Sequence, residues 1–304
     1  MPKTLVIVTG PTGSGKTDLA IEIAESLGTE IVGADSRQIF RGLPIGTAAP
    51  SAAQLSRVKH HLVGVLELDE YYSAALFEQQ ALSILDTIWS ERDIAVMCGG
   101  SMMYIDAVTN GIDLLPTISD KIRTETLSLY HREGLAGVIE TLRQLDPLSL
   151  ETIDLKNHRR LIHALEITLE AGVPASRLRT GKRKLRPFNV VKLALGYDRD
   201  TLFSRINARV DAMIAAGLEE EARAVYHLRG LNSLNTVGYK EMFALFDGTM
   251  DRPTAIARIA KNTRVYAKKQ MLWLSKDPDV HILNPSLPLT GQALRIIGSG
   301  RFAQ

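Results

Sequence analysis

Thr4-Leu5-Val6-Ile7-Val8-Thr9, followed without a break by Gly10-Pro11-Thr12-Gly13-Ser14-Gly15-Lys16-Thr17, is the stretch that decides how this chain folds. A short β-branched apolar run that ends in glycines reads as a buried parallel strand opening into a loop. The eight residues after it match G-x-x-x-x-G-K-[ST], and a helix is expected from Lys16 to Leu27, so the phosphate-loop pattern has both its strand and its helix. Glycines let the backbone wrap an anion, and the amides and helix N-terminus then point at it. Lys16 supplies a point charge and the Thr17 hydroxyl a ligand for Mg²⁺. The whole of Gly10 to Thr17 is therefore expected to bind a diphosphate. The motif alone leaves open whether that phosphate is transferred, hydrolysed or expelled.

Outward from the loop, Glu30 to Ala34 and Ile94 to Cys98 read as further strands, ending at Asp35 and at Gly99-Gly100-Ser101. Strand, helix, strand order implies a parallel sheet whose ligands sit beyond the strand carboxyl ends. Asp35 there suits three roles: a magnesium-associated carboxylate, a general base or a surface cap. Gly99 to Ser101 suits either a close approach to ligand or a tight turn. From about Ser119 to Ala171 apolar residues recur at helix spacing, through Leu127 to Leu145 and Leu161 to Leu169. Six of the ten residues from Arg177 to Arg186 are basic, after which Val190 to Leu195 returns to strand character. The remainder is expected to be mostly helix, with a last short strand at Val280 to Leu283. The fold expected is α/β, a P-loop NTPase-like parallel sheet core with a helical insertion domain. The core would comprise 1–118 and 187–304, and the insertion 119–186.

The 304 residues are 45% apolar and 23% charged, ordinary globular usage with ample material for a core. Met1 to Thr4 lead straight into an apolar strand, and no run approaches the about 20 residues of a spanning helix, so a cytoplasmic protein without membrane attachment is expected. The single cysteine, Cys98, offers neither an internal disulfide nor a zinc site and is expected as a small buried strand residue. Net charge is only +2, but residues 1–150 carry 11 Lys+Arg against 19 Asp+Glu, whereas residues 151–304 carry 25 against 15. The second half, at +10 against −8, is where a polyanion would bind.

Between Arg252 and Lys276 there are seven basic residues and no acidic one. On a helix of about 3.6 residues per turn, Arg258, Lys261, Arg264 and Lys268 share one side, and Ile256, Ile259, Thr263, Ala267 and Leu274 the other. The apolar side is expected on the core. The basic side, with Tyr266 and Trp273 nearby, reads either as a solvated face or as a phosphate-tracking surface with room for base stacking.

Taken in order, these segments resemble the tRNA dimethylallyltransferases, also called isopentenyl-tRNA transferases, through nearly the whole chain. The residues that carry the resemblance are the phosphate loop, Asp35-Ser36-Arg37-Gln38, Ile45-Gly46-Thr47-Ala48 and Gly99-Gly100-Ser101 with Tyr104. Further on they are Arg160 before Ala164-Leu165-Glu166, Arg205 and Arg209 on one helix, Val237-Gly238-Tyr239-Lys240-Glu241, and Thr263-Arg264 through Ala267-Lys268-Lys269-Gln270 to Trp273. Departures are Phe40 for a usual Tyr, Ala49 for Lys, Ser101 for Thr and His163 for Arg. Ser101 keeps the hydroxyl, whereas Ala49 and His163 each remove a constant positive charge.

The resemblance implies that the loop holds dimethylallyl diphosphate, with Mg²⁺ as cofactor, and that the adenosine just 3′ of the anticodon of a transfer RNA is flipped into the site. It implies a catalytic set of Asp35, Ser101 and Lys16, with Arg209 on the diphosphate. The tRNA anticodon stem-loop would meet Asp35, Ser36, Arg37 and Gln38, then Arg159, Arg160 and His163. Gly238, Tyr239 and Lys240 are also expected there, as are Lys261, Arg264, Lys268, Lys269, Gln270 and Trp273 of the basic helix. The exocyclic amine of adenine is a weak nucleophile that must lose a proton as it attacks, and Asp35 is the candidate acceptor. A monomer is expected. Two rivals use the same residues differently: a P-loop small-molecule or nucleotide kinase, with Asp35 as base toward an acceptor hydroxyl, and a non-catalytic RNA-binding P-loop protein.

Overall fold

The computed structural model describes residues 3–299. Strands β1 (Thr4–Thr9), β2 (Ile31–Gly33), β3 (His60–His61), β4 (Ile94–Cys98), β5 (Asn189–Leu195) and β6 (Val280–Leu283) form one sheet. Its order is β3-β2-β4-β1-β5-β6, with every adjacent pair parallel. β1 lies between β4 and β5, which is why Leu5, Val6, Ile7 and Val8 are wholly buried and the run is continuously apolar rather than alternating. Because the chain leaves β1 on one side toward β4 and β2 and on the other toward β5 and β6, the ends of β1 and β4 border a topological switch, the usual ligand crevice of such sheets.

The α/β core with its P-loop is as the sequence implies, and β1, the helix Lys16–Leu27, β4 and β6 have the expected limits. β2 is shorter than expected, since Glu30 and Ala34 lie outside it. β3 was not anticipated: two histidines paired with Ile31 and Val32 are too short to show a period.

By contacts the described chain divides into two compact units, one up to Asn110 and again from Leu185, the other Gly111–Lys184. The second unit holds the helices Asp120–Leu145, Pro147–Thr152, His158–Ala171 and Ala175–Leu178. They pack around Val138, Leu142, Leu161, Ala164, Leu165 and Ile167. The first helix kinks at Gly134, where φ is 66°. At its end Asp146, 1% exposed, takes hydrogen bonds from the amides and hydroxyls of Ser149 and Ser176. Burial works against the Asp146 carboxylate, but these four donors outweigh it and hold its pKa below the ordinary range. Asp146→Ala should cost about 3 kcal/mol in urea unfolding at neutral pH, since it strands buried donors. A depressed carboxyl stabilises fully above its unfolded value of about 3.9, and that contribution is lost as pH falls through the folded value, so mutant and parent should converge in acid.

The helix Arg252–Leu274 starts on Asp251, whose Oδ1 accepts from the Thr254 amide at 2.7 Å, and buries Ala255, Ile259, Ala267, Gln270 and Leu274. Arg258, Lys261, Lys268 and Lys269 are exposed. No helix of the described residues is long and apolar enough to cross a membrane.

Candidate active site

The phosphate loop has the backbone shape of an anion cradle. Gly15 stands at the N-cap of the helix Lys16–Leu27 with φ 90°, a left-handed position suited to glycine, and no side chain caps the helix. The first-turn amides are thus left for a ligand. Ser14 is wholly buried within the loop and its Oγ has no hydrogen-bond partner. A buried orphan hydroxyl costs on the order of 1–3 kcal/mol, which a bound phosphate oxygen would relieve. Thr12 does not turn inward: its amide donates to Gln270 Oε1 at 2.9 Å.

Across the strand ends, Gly99 brings the end of β4 against the end of β2. A Cβ there would lie 2.1 Å from the Ala34 carbonyl oxygen, so no other residue permits the approach. The consequence is that Asp35 and Ser101, distant in sequence, share one corner. The Ser36 amide donates to Ser101 Oγ at 2.8 Å. Asp35 Oδ1 accepts from the Arg37 amide at 2.9 Å and the Gln38 amide at 3.4 Å, which among the described residues leaves Oδ2 for something else. Asp35 is at once a turn cap and a carboxylate facing the cradle.

The charges around it converge from distant elements. Burial pushes the Lys16 ammonium below its usual value, an effect that Asp35 opposes and Arg209 adds to. Arg209, on the helix Arg199–Ala215, is likewise desolvated by burial with Asp35 opposing. Arg37 is desolvated too, with Tyr104 and Asp35 opposing, and its guanidinium donates to the carbonyls of Asn232 and Ser233 at 2.8 and 3.0 Å. Three cations with one carboxylate between them form a site that is short of negative charge, which suits an anionic ligand.

Arg205 adds a fourth cation. Its Nε donates to the Gly13 carbonyl at 2.9 Å, its guanidinium lies 4.8 Å from the Tyr197 ring, and it lines with Gly13, Gly15, Ala208 and Arg209 a cavity of about 330 Å³. The signal was the four-residue spacing of Arg205 and Arg209, which puts both on one helix face. Cys98 is not a plain core residue either. Its thiol reaches the Lys16 carbonyl at 3.7 Å and hydrogen-bonds Thr17, and burial raises its pKa to about 11, so it stays a thiol.

Several residues expected to meet RNA have other partners. The Tyr239 ring is wholly buried, packed against Gly46 with its hydroxyl donating to Glu221, so the ring is scaffold and not surface. Gly238 is buried beside it, its amide donating to Glu241 at 2.8 Å. Gln270, 2% exposed, is also scaffold, bridging the Thr12 amide and the Gly100 carbonyl. Gln38 spends its amide nitrogen on the carbonyls of Thr47 and Ala48. Trp273 is half-buried and donates to Asp106 at 3.1 Å. The expected basic surface is otherwise present: Lys240, Lys261, Lys268 and Lys269 are exposed. Arg264 is half-buried and bonded to Asn207, and with Lys268 it flanks the Phe203 ring, at 6.0 and 5.6 Å. In the second unit, Arg159, Arg160 and His163 are exposed on the helix His158–Ala171, with His163 3.3 Å from Glu166.

An uncapped helix N-terminus behind a glycine-rich loop, with a carboxylate and a hydroxyl set across the strand ends from it, is the arrangement of a P-loop enzyme of group transfer. Among the described residues no cluster of three or more His, Cys, Asp or Glu is arranged to hold a metal ion. The donor set fits Mg²⁺ carried on a diphosphate, which keeps its waters and needs only one or two protein oxygens.

The IPP transferase family matches residues 38–277. The tRNA dimethylallyltransferase 2 of Parabacteroides distasonis is 49% identical over 282 residues, 93% of this chain and 94% of that protein. A solved tRNA isopentenylpyrophosphate transferase of Bacillus halodurans superposes with a TM-score of 0.72 at 31% identity, covering 99% of this chain and 97% of that one. A eukaryotic dimethylallyltransferase acting on tRNA has the same fold, with a TM-score of 0.82 at 22% identity over 99% of this chain and 81% of its own. The chain belongs to the tRNA dimethylallyltransferase family. That membership sets aside the kinase and the non-catalytic readings.

Proposed function

We propose that this enzyme transfers the dimethylallyl group of dimethylallyl diphosphate to the exocyclic amine of the adenosine 3′ to the anticodon in tRNA, releasing diphosphate. The observation that supports the proposal is that Ser101 hydrogen-bonds the backbone on either side of Asp35, while the Asp35 carboxylate interacts electrostatically with both Lys16 and Arg209. The donor's diphosphate lies in the cradle of Gly10 to Thr17, with its reactive carbon toward Asp35. As the allylic C–O bond breaks, the electron pair stays on the diphosphate, where Lys16, Arg209 and the loop amides take up the growing charge. The adenine nitrogen bonds to that carbon and gives its proton to Asp35. Mg²⁺, when bound, adds Lewis-acid neutralisation of the diphosphate, with the Thr17 hydroxyl as its protein ligand.

The test is incubation with labelled dimethylallyl diphosphate and unmodified tRNA, and separately with labelled ATP. Label in tRNA is the expected result, and phosphate transfer from ATP with none from the allylic donor overturns the proposal.

The exposed cations Lys261 and Lys268, with Arg264 and Lys240, form the surface for the anticodon stem phosphates. Replacing Lys261, Arg264 and Lys268 together by Ala should weaken tRNA binding and flatten the plot of log affinity against log salt by about 2 to 3, close to one per lost phosphate contact. An unchanged slope in a filter-binding titration removes this helix from the interface.

A further inference from the structure

The helix Arg199–Ala215 meets the phosphate loop through two consecutive residues. Ile206 is wholly buried and packs on Gly13, where a Cβ would lie 3.1 Å from Ile206 Cγ1. Arg205 holds the same glycine by its backbone, Nε donating to the Gly13 carbonyl at 2.9 Å. The peptide that bears this carbonyl bears the Ser14 amide on its opposite edge, and that amide donates to the Pro11 carbonyl at 3.3 Å. Both edges of one peptide plane are thus held. Without those bonds the plane would turn easily, because Gly13, with φ 84°, has no Cβ to restrict it.

The orientation of that peptide matters to an anion. A phosphate cradle works by presenting N–H groups, and a carbonyl turned inward would set the negative end of a dipole against the ligand. Arg205 is placed to prevent the turn. Its guanidinium lies 4.8 Å from the centre of the Tyr197 ring, and a Cβ on Gly15 would come within 3.4 Å of its Nη2, so the group is held against both ring and loop. Arg205 itself is exposed, so replacing it removes this bond while the packing of Ile206 on the loop remains.

We infer that Arg205 is a positioning residue for the diphosphate site: the bond from its Nε keeps the Gly13 carbonyl turned out of the phosphate loop, so that the cradle is formed before the ligand arrives. The inference rests on the proposed function for the identity of the donor, and on the loop geometry for the rest. It assigns the effect to one N–H group and not to the positive charge. The two can be separated. Along the side chain, glutamine Nε2 takes the place of arginine Nε, so glutamine keeps a donor at that atom and loses the charge. Methionine puts a methyl group there and loses both.

The parent enzyme, Arg205→Met and Arg205→Gln are titrated calorimetrically with inorganic diphosphate, and kcat and KM for labelled dimethylallyl diphosphate are measured in each. Arg205→Met should weaken diphosphate binding about tenfold and raise the donor KM to match, with kcat and tRNA affinity within about twofold, because lost pre-organisation weighs equally on ground and transition states. Arg205→Gln should recover most of that loss, binding diphosphate within about threefold of the parent. The gap between the two variants should persist at high salt, where a charge effect would be screened. Equal losses in both variants overturn the inference, since the charge would then be what counts. So does an Arg205→Met enzyme that binds diphosphate within about twofold of the parent, or one that loses tRNA affinity as well. A parent that binds diphosphate but leaves tRNA unlabelled overturns the function reading alone, the titration still deciding the role of Arg205.

Discussion

Asp35→Asn is expected to slow dimethylallyl transfer by about a thousandfold while tRNA affinity stays within a few-fold, because a general base is worth roughly 10² to 10⁴ and the amide cannot accept the proton. The substitution is close to isosteric. Its Oδ1 still accepts from the amides of Arg37 and Gln38, so the turn that carries them survives. What changes is charge: Lys16, Arg37 and Arg209 lose the carboxylate that opposes their desolvation. Inorganic diphosphate should consequently bind a few-fold more tightly to the variant, since an anion no longer competes with it for the same cations. Rapid-quench transfer and calorimetric titration of diphosphate check the two halves. Lost tRNA binding, or weaker diphosphate binding, would mean that Asp35 serves the architecture and not the chemistry.

Lys16→Met is expected to reduce kcat/KM by at least about a thousandfold, with most of the loss appearing as weaker diphosphate binding, because a desolvated ammonium facing a diphosphate is both anchor and charge sink. Methionine keeps the stem and removes the charge. In the free enzyme that charge is a liability, since burial disfavours the ammonium and Arg209 adds to the strain. The melting temperature of the variant without ligand should therefore rise even as activity disappears, the usual opposition between a charged site and a stable core. Differential scanning calorimetry decides it. A melting temperature that falls would show that the pull of Asp35 already outweighs the burial of Lys16 before any substrate arrives.

The legible part of the site is the part written in consecutive residues. A β-branched run, a glycine-rich turn and a lysine-threonine pair are read by short-range sterics and by the demands of an anion, so Gly10 to Thr17 and the strand before it stand where expected. The shared position of Asp35 and Ser101 was legible for a related reason, because each follows closely on a strand end and parallel strands end at one edge. Tyr239 and Gln270 make buried contacts that the sequence does not show. Both lie in segments rich in polar and basic residues, and composition does not disclose that one phenol is sealed against Gly46 or that one amide bridges Thr12 to Gly100. Arg205 was visible as a spacing and without a purpose until its guanidinium met the Gly13 carbonyl.

The sheet core, the phosphate-loop motif, the family and the positions of Asp35 and Ser101 just past two strand ends follow from the sequence, because these depend on periodicity, local backbone freedom and the residues that follow each strand. Tertiary packing settled which cations surround that carboxylate and which polar residues became scaffold. Several of those contacts join residues far apart in sequence, as far as the 258 positions between Thr12 and Gln270. Their existence depends on how helices pack over the strand ends, a quantity that no local pattern encodes.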